Sequence, residues 1–439
     1  MKQINKPLFF LLSFLFIFGA CEKKELVTMN PDAKPVVSLS TTNLVLDKDN
    51  PDGTALTVSW TEPDFGFQAA PVYFVLLDLG TGDFSNPQIF PAGDSLQKTF
   101  THEELNSKLL ALGVEPGTPT EVKIKVEVSL SQQVKIYSDP VSLTVTAYSS
   151  YLDLSTEWGI VGSATPGGWG NPDMPDLPMY KTSTPGVLVA YVGLQTGEIK
   201  FRLNNDWSIN YGDNGLDGTL DRDGANIPVT EGNYKITVDT NTMTYTIEPY
   251  SWGIVGSATP NGWNGPDIQF YYNPYNDNWV AAATLTDGEI KFRFNNDWGL
   301  NYGDDGLDGT LDQNGANIPV IAGHYIITMD LNKMTYTIEA SDLWGLVGSA
   351  TPNGWNGPDV KFIPKFGPEE GKFFIYSVQL TDGEVKIRLN DDWAVNYGDD
   401  GNDGTLEQNG ANIPVTAGKY YIKLDFSVSP PTIKFIQWP

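Results

Sequence analysis

In 439 residues the chain has one cysteine, Cys21, and two histidines, His102 and His324. A lone cysteine excludes an intrachain disulfide and a thiolate metal cluster. Neither histidine recurs in the internal repeats described below; Asn233 and Lys419 stand where one copy has His324. A Ser-His-Asp arrangement therefore has no support. Positive charge is also scarce, with 27 Lys and Arg against 54 Asp and Glu and a formal net charge of −27. Phosphate binding needs clustered cations, so nucleic acid and anionic lipid are excluded as partners, whereas an uncharged polymer is not. Sustained helical periodicity is missing beyond the N-terminus; one or two helical turns are expected around residues 101–112. The 44 glycines and 30 prolines punctuate the chain into many short strands joined by turns, which predicts an all-β protein.

The one strongly apolar run lies at the start. Lys2 and Lys6 precede Leu8–Phe18, a run too short to span a bilayer well, and Gly19-Ala20-Cys21 follows. This resembles a bacterial lipobox, in which the cysteine is acylated and becomes the first residue of the mature protein. The alternative is an ordinary secretory signal cleaved elsewhere. The expectation is a signal peptide over 1–20, lipidation at Cys21 and an extended tether over 21–34. Durable attachment needs more than one acyl chain, which such an anchor supplies.

A repeat dominates the rest. Trp158-Gly-Ile-Val-Gly-Ser-Ala-Thr-Pro166 returns at Trp252–Pro260 and, with one change, at Trp344–Pro352, at offsets of 94 and 92 residues. Each copy continues with a Gly-Trp turn, a Gly-Glu-Ile/Val-Lys strand, an Asn/Asp-Asp-Trp step and Gly-Ala-Asn-Ile-Pro-Val. A period this long has the size of an independent domain. The expected modules are 155–249, 250–340 and 341–439. Residues 35–149 differ, with short alternating strands such as Leu56-Thr-Val-Ser-Trp60, and suggest an immunoglobulin-like sandwich.

Strand alternation places Phe201 and Leu203 inward and Lys200, Arg202 and Asn204 on the outer face. The same holds for Lys291, Arg293 and Asn295, and for Lys386, Arg388 and Asn390. Ammonium, guanidinium and amide groups together can hydrogen-bond sugar hydroxyls; the alternative is a solvated strand face. Trp158, Trp252 and Trp344 begin apolar strands and read as core. Trp279 aligns with Leu188 and Phe374, which also says packing. Trp169, Trp263 and Trp355 sit between turns, and Trp207, Trp298 and Trp393 follow polar residues, so both sets are expected on loops. Pyranose rings have apolar C–H faces that lie flat on indoles. Each such contact adds about 0.5–1.5 kcal/mol beyond buried area, so single sites are weak and three linked sites gain by avidity.

Two other chemistries are weaker. Gly303-Asp-Asp-Gly-Leu-Asp-Gly-Thr-Leu-Asp312 invites a calcium reading, but Gly306 stands where an EF-hand loop needs its third-position ligand. An Asx-rich turn, with no metal or cofactor, is the expectation. Glu198, Glu289 and Glu384 recur as strand-entry residues after Gly; the abundance of acids leaves paired carboxylates for glycoside hydrolysis open, but three identical active sites in one chain argue against an enzyme.

The Ser-Ala-Thr-Pro-x-Gly-Trp and Lys-x-Arg-x-Asn-x-x-Trp segments, with the leader and the three repeats, resemble the SusE/SusF family of starch-utilisation outer-membrane lipoproteins. The resemblance implies a non-catalytic protein that retains starch-like α-glucan for a neighbouring importer and surface glycosidase. It implies sites pairing two aromatics with a basic residue: Trp169, Lys200 and Trp207; Trp263, Lys291 and Trp298; Trp355, Lys386 and Trp393. Arg202, Arg293 and Arg388, with Asn204, Asn295 and Asn390, would be hydrogen-bond partners. The first copy departs at Gly168-Trp-Gly-Asn and at Met174–Pro178. Another neutral glycan such as a β-glucan, or a structural or adhesive role with packing-only tryptophans, are the alternatives.

Overall fold

The computed structural model describes residues 28–30 and 32–439, so the expected leader, Cys21 and most of the expected tether lie outside the described residues. The chain divides into two compact units, ending and resuming at Ser150/Tyr151.

In the first unit a three-stranded sheet (Val37–Leu39, Thr54–Trp60, Gln97–Thr101) faces a six-stranded one built on Thr120–Ser129 and Val72–Leu79. Alternation decides the faces: Leu56, Val58 and Trp60 point into the core with Val75, Leu77, Val122, Ile124 and Val126. The expected helical turns form one helix, His102–Ala111. The Thr101 side chain caps it by accepting from the Glu104 N–H, Glu103 and Glu104 complement its first turn, and Leu105 and Leu109 are buried. The expected tether ends earlier than residue 34. The Asn30 N–H donates to the Phe65 carbonyl, and Ala33 is buried in this core.

The second unit holds the three repeats. In the second copy one sheet runs Ile268–Gln269, Trp252–Val255, Gly288–Phe294, Asp297–Gly303, Asp312–Gln313, with Ile318–Val320 also on Gly288–Phe294. The other runs Tyr271–Asn273, Asn278–Leu285, Gly323–Asp330, Thr335–Ala340. The third copy repeats this arrangement. In the first copy the sheets join into one of nine strands, because Leu177–Lys181 pairs with both Ser155–Val161 and Val187–Leu194.

The repeated motif has local causes. A Cβ on Gly256 would collide with the Glu289 carbonyl, and its φ is +155°, so only glycine fits. Ser257 Oγ accepts from the Glu289 N–H at 3.0 Å, and Thr259 Oγ1 donates to the Gly256 carbonyl at 2.9 Å. The same bonds recur in the other copies, so Gly-Ser-Ala-Thr anchors the turn that carries the following Trp.

The repeats are not packed independently. One core cluster draws Ile160, Leu177 and Ile236 from the first copy, Ala282 from the second, and Leu343, Ile363, Phe374 and Tyr421 from the third. Tyr376 Oη donates to the Gly193 carbonyl at 2.9 Å, and Thr284 Oγ1 donates to Asp391 Oδ2 at 3.0 Å. Domain-sized repeat length therefore does not mean separate bodies; each copy leaves apolar side chains that the next one covers. Trp252 and Trp279 are buried, as expected of core residues. Trp158 stacks on Tyr211 and Trp344 on Phe426, both half-buried.

Candidate functional site

Each repeat brings its two tryptophans together, but only Trp169, Trp263 and Trp355 sit in turns. Trp207, Trp298 and Trp393, expected on loops, are each the second residue of the strands Asp206–Gly212, Asp297–Gly303 and Asp392–Gly398. Trp263 sits in the single 3-10 turn Gly262–Asn264. Trp298 follows a two-residue hairpin turn, Asn295-Asn296, whose φ values of 50° and 53° are left-handed, a conformation asparagine tolerates. Pairing then jumps from Phe294↔Asp297 to Arg293↔Asn301. The extra residues bulge and aim Trp298 outward, the usual effect of a bulge on a side chain. The ring centroids of Trp263 and Trp298 are 6.0 Å apart at 37°. Trp355 and Trp393 are 6.0 Å apart at 39°, and Trp169 and Trp207 are 6.1 Å apart at 35°. Trp207, Trp298 and Trp393 are 43–44% exposed, Trp169 is 38% exposed, and Trp263 and Trp355 are half-buried. The first copy keeps the pair despite its departing loop.

The arginines occupy a different place from the one expected. Arg202, Arg293 and Arg388 are buried, not open on an outer face. Arg293 Nε and Nη2 each donate to Asp267 at 2.7 Å; Arg388 does the same to Asp359 at 2.8 and 2.7 Å, and Arg202 to Asp176 at 2.6 and 2.7 Å. The guanidinium carbons lie 4.6–4.8 Å from the ring centroids of Trp207, Trp298 and Trp393. The hydrogen bonds that Asp267 and Asp359 accept raise the already high pKa values of Arg293 and Arg388, so both stay charged. Planar, bidentate pairing combined with stacking suits arginine and not lysine. The arginine is thus the floor under one indole, spent on its carboxylate, and not a free donor.

The asparagines are corrected as well. Asn204, Asn295 and Asn390 are the first turn residues of the hairpins, with φ of 50–56°. Asn295 Oδ1 accepts from the Ser251 N–H at 2.7 Å and Nδ2 donates to the Pro249 carbonyl at 3.1 Å. Asn390 accepts from the Leu343 N–H at 2.8 Å. Asn295 and Asn390 tie their site hairpins to the start of their repeats. Asn204 is exposed, and its backbone N–H reaches the start of the first repeat, donating to the Glu157 carbonyl at 2.7 Å. The lysines share the strand face with the arginines but meet different partners. Lys291 Nζ donates to the Gly315 carbonyl and Lys386 Nζ to the Gly410 carbonyl, each at 2.7 Å, and burial lowers the pKa of Lys200, Lys291 and Lys386.

Two sets of residues were missed. Asp176, Asp267 and Asp359 hold the arginines. Asn210, Asn301 and Asn396 brace the bulge: Asn301 Nδ2 donates to the Trp298 carbonyl at 3.0 Å and to Asn314 Oδ1 at 2.9 Å. The carboxamide oxygens of Asn210 and Asn301 are buried without a partner among the described residues. The signal for both sets was recurrence, as Pro-Asp after the Gly-Trp turn and as Trp-x-x-Asn-Tyr-Gly.

The acidic loops are self-satisfied. Asp304 accepts from the N–H groups of Gly306, Asp308 and Gly309 and from Tyr336 Oη at 2.8 Å. Burial raises its pKa, but these four bonds outweigh burial and the net shift is downward. Among the described residues no group of acids, His and Cys is arranged to hold a metal ion. His102 Nδ1 accepts from the Asp47 N–H, and His324 Nδ1 bonds Thr284 Oγ1 at 2.9 Å, so both serve packing contacts.

Against known proteins, residues 22–127 match the family model described as SusE outer membrane protein. Residues 157–246 match the one described as SusF/SusE starch specific CBMs, a non-catalytic family. A comparison with curated proteins gives no match. The crystal structure of SusF from Bacteroides thetaiotaomicron is similar at 17% identity over 91% of this chain and 100% of that one; its TM-score of 0.20 carries no argument here.

Proposed function

From its membership of the SusE/SusF family of outer membrane proteins, we propose that the chain retains starch-like α-glucan on three tryptophan pairs, one per repeat. The observation that carries this reading is the recurrence of two part-exposed indoles, 6.0–6.1 Å apart and tilted by 35–39°, in all three copies. Two planes at an angle suit a curved chain of pyranose rings, and packing alone gives no reason to leave indole faces in water three times over. Trp169 with Trp207, Trp263 with Trp298 and Trp355 with Trp393 form the platforms. Arg202, Arg293 and Arg388 stiffen them from below. Lys200, Lys291 and Lys386 lie two residues before each arginine on the same strand face. Beyond the one N–H that Lys291 and Lys386 give to the Gly315 and Gly410 carbonyls, their remaining N–H groups serve as donors toward sugar hydroxyls. An acylated Cys21 holds the protein on the outward face of the outer membrane, where bound glucan is passed to an importer and a surface glycosidase.

Affinity electrophoresis of the full chain tests this reading. Amylopectin retards the wild type, and the variant with all six tryptophans changed to Ala migrates as in an empty gel. Unchanged retardation of that variant refutes the platform, and retardation by a β-glucan in place of amylopectin refutes the α-glucan assignment.

A further inference from the structure

Met174–Pro178, the stretch where the first copy departs from the others, walls a cavity of about 310 Å³ lined by all three repeats. That volume falls at the lower end of the ~300–1,000 Å³ of small-molecule sites. About half of its lining residues are aromatic, with Tyr180 and Tyr191 from the first copy, Tyr271 from the second, and Phe374 and Tyr421 from the third; Asp176, Lys365, Glu369 and Lys423 add two charges of each sign. The hydroxyls of Tyr180, Tyr191, Tyr271 and Tyr421 make no hydrogen bond to any described residue, and none is among the sealed, unpartnered atoms. A roomy polar cavity is filled by water or ligand, so these hydroxyls are open to whatever occupies it. Burial pushes the Tyr271 phenol up to about 12 and raises Tyr180 and Tyr421 as well, so all three are neutral and can each donate and accept. Aromatic surface dotted with neutral hydroxyls matches a ring with apolar faces and a hydroxylated edge.

We propose that this inter-repeat cavity is a fourth binding site, which takes a short neutral saccharide of disaccharide size. Its ligand class rests on the glycan reading above, but its residues are separate from the tryptophan pairs. It adjoins the first pair, because Asp176 both lines the cavity and holds Arg202 under Trp207.

Maltose titrated calorimetrically into the full chain is the test. The six-tryptophan variant loses retention on amylopectin yet binds one maltose per chain. Adding Tyr180→Phe, Tyr271→Phe and Tyr421→Phe, which keeps the rings and removes the hydroxyls, weakens that binding at least tenfold. No maltose binding by the six-tryptophan variant at an unaltered melting temperature overturns the proposal, as does affinity unchanged by the three Phe substitutions. In an otherwise wild-type chain the same three substitutions lower the maltose stoichiometry by one; an unchanged stoichiometry also overturns it. Loss of the cavity site with amylopectin retention intact leaves the platform reading standing, so the two fail separately.

Discussion

The Arg293 guanidinium carbon lies 4.8 Å from the centroid of the Trp298 ring, while Asp267 accepts two bonds from the same guanidinium. One ion pair therefore sets the height and tilt of one exposed indole. The same relationship joins Arg388 to Trp393 over Asp359. The side chains of Asp359 and Arg388 are 0% and 4% exposed, which makes this pair costly to break. Asp359→Ala is expected to destabilise the protein by about 3–5 kcal/mol, because it leaves a buried unpaired guanidinium. Urea unfolding measures it; a loss below about 1 kcal/mol contradicts the account.

The two indoles of a pair should contribute comparably. With the other two platforms removed, Trp263→Ala or Trp298→Ala is expected to weaken amylopectin retention roughly two- to tenfold each, from about 0.5–1.5 kcal/mol per aromatic contact. Affinity electrophoresis over a range of polysaccharide concentrations gives the ratio. No change on removing the more exposed Trp298 argues for packing alone.

Salt separates this mechanism from one based on charge. The arginines are neutralised by carboxylates, and the proposed ligand is uncharged. Retention is therefore expected to be the same at low and at molar salt, although exposed charges are fully screened at the latter. A steep loss of retention with salt contradicts a neutral ligand.

Acid should loosen the Asp-rich loops. Hydrogen bonds to the Asp304 carboxylate hold its pKa below the usual range despite burial. A depressed folded pKa adds stability above the unfolded value of about 3.9, and that stability is lost as pH falls further, through the folded pKa. Asp304→Asn is expected to flatten the fall of the melting temperature below about pH 4, as read by thermal unfolding in a pH series. An identical slope in both proteins removes Asp304 from the acid response.

Short-range features were legible. The helix at His102–Ala111 was legible only as one or two turns expected around residues 101–112; its Thr101 cap and buried Leu105 and Leu109 came with the structure. Trp169, Trp263 and Trp355 showed as turn residues in their Gly, Pro and Asn neighbours, since turn chemistry is a property of adjacent residues. Trp207, Trp298 and Trp393, expected on loops, instead begin strands just past a hairpin turn. The role of the arginine was not legible. Lys291 and Arg293 share a strand face, and nothing adjacent says that Asp267, 26 residues earlier, claims the arginine while Gly315 claims the lysine. Asn295 looked like a face residue because its left-handed φ belongs to the hairpin and not to the strand pattern.

The chain alone settled the all-β class, the threefold repeat and the six tryptophans that stand apart from the core, because backbone propensity, side-chain alternation and turn preference act over a few residues. Tertiary structure decided which cation meets which ring. It also joined the three repeats through one shared core and formed a phenol-lined cavity between them. Those outcomes depend on desolvated contacts between residues tens to hundreds of positions apart, which only the folded chain brings within reach.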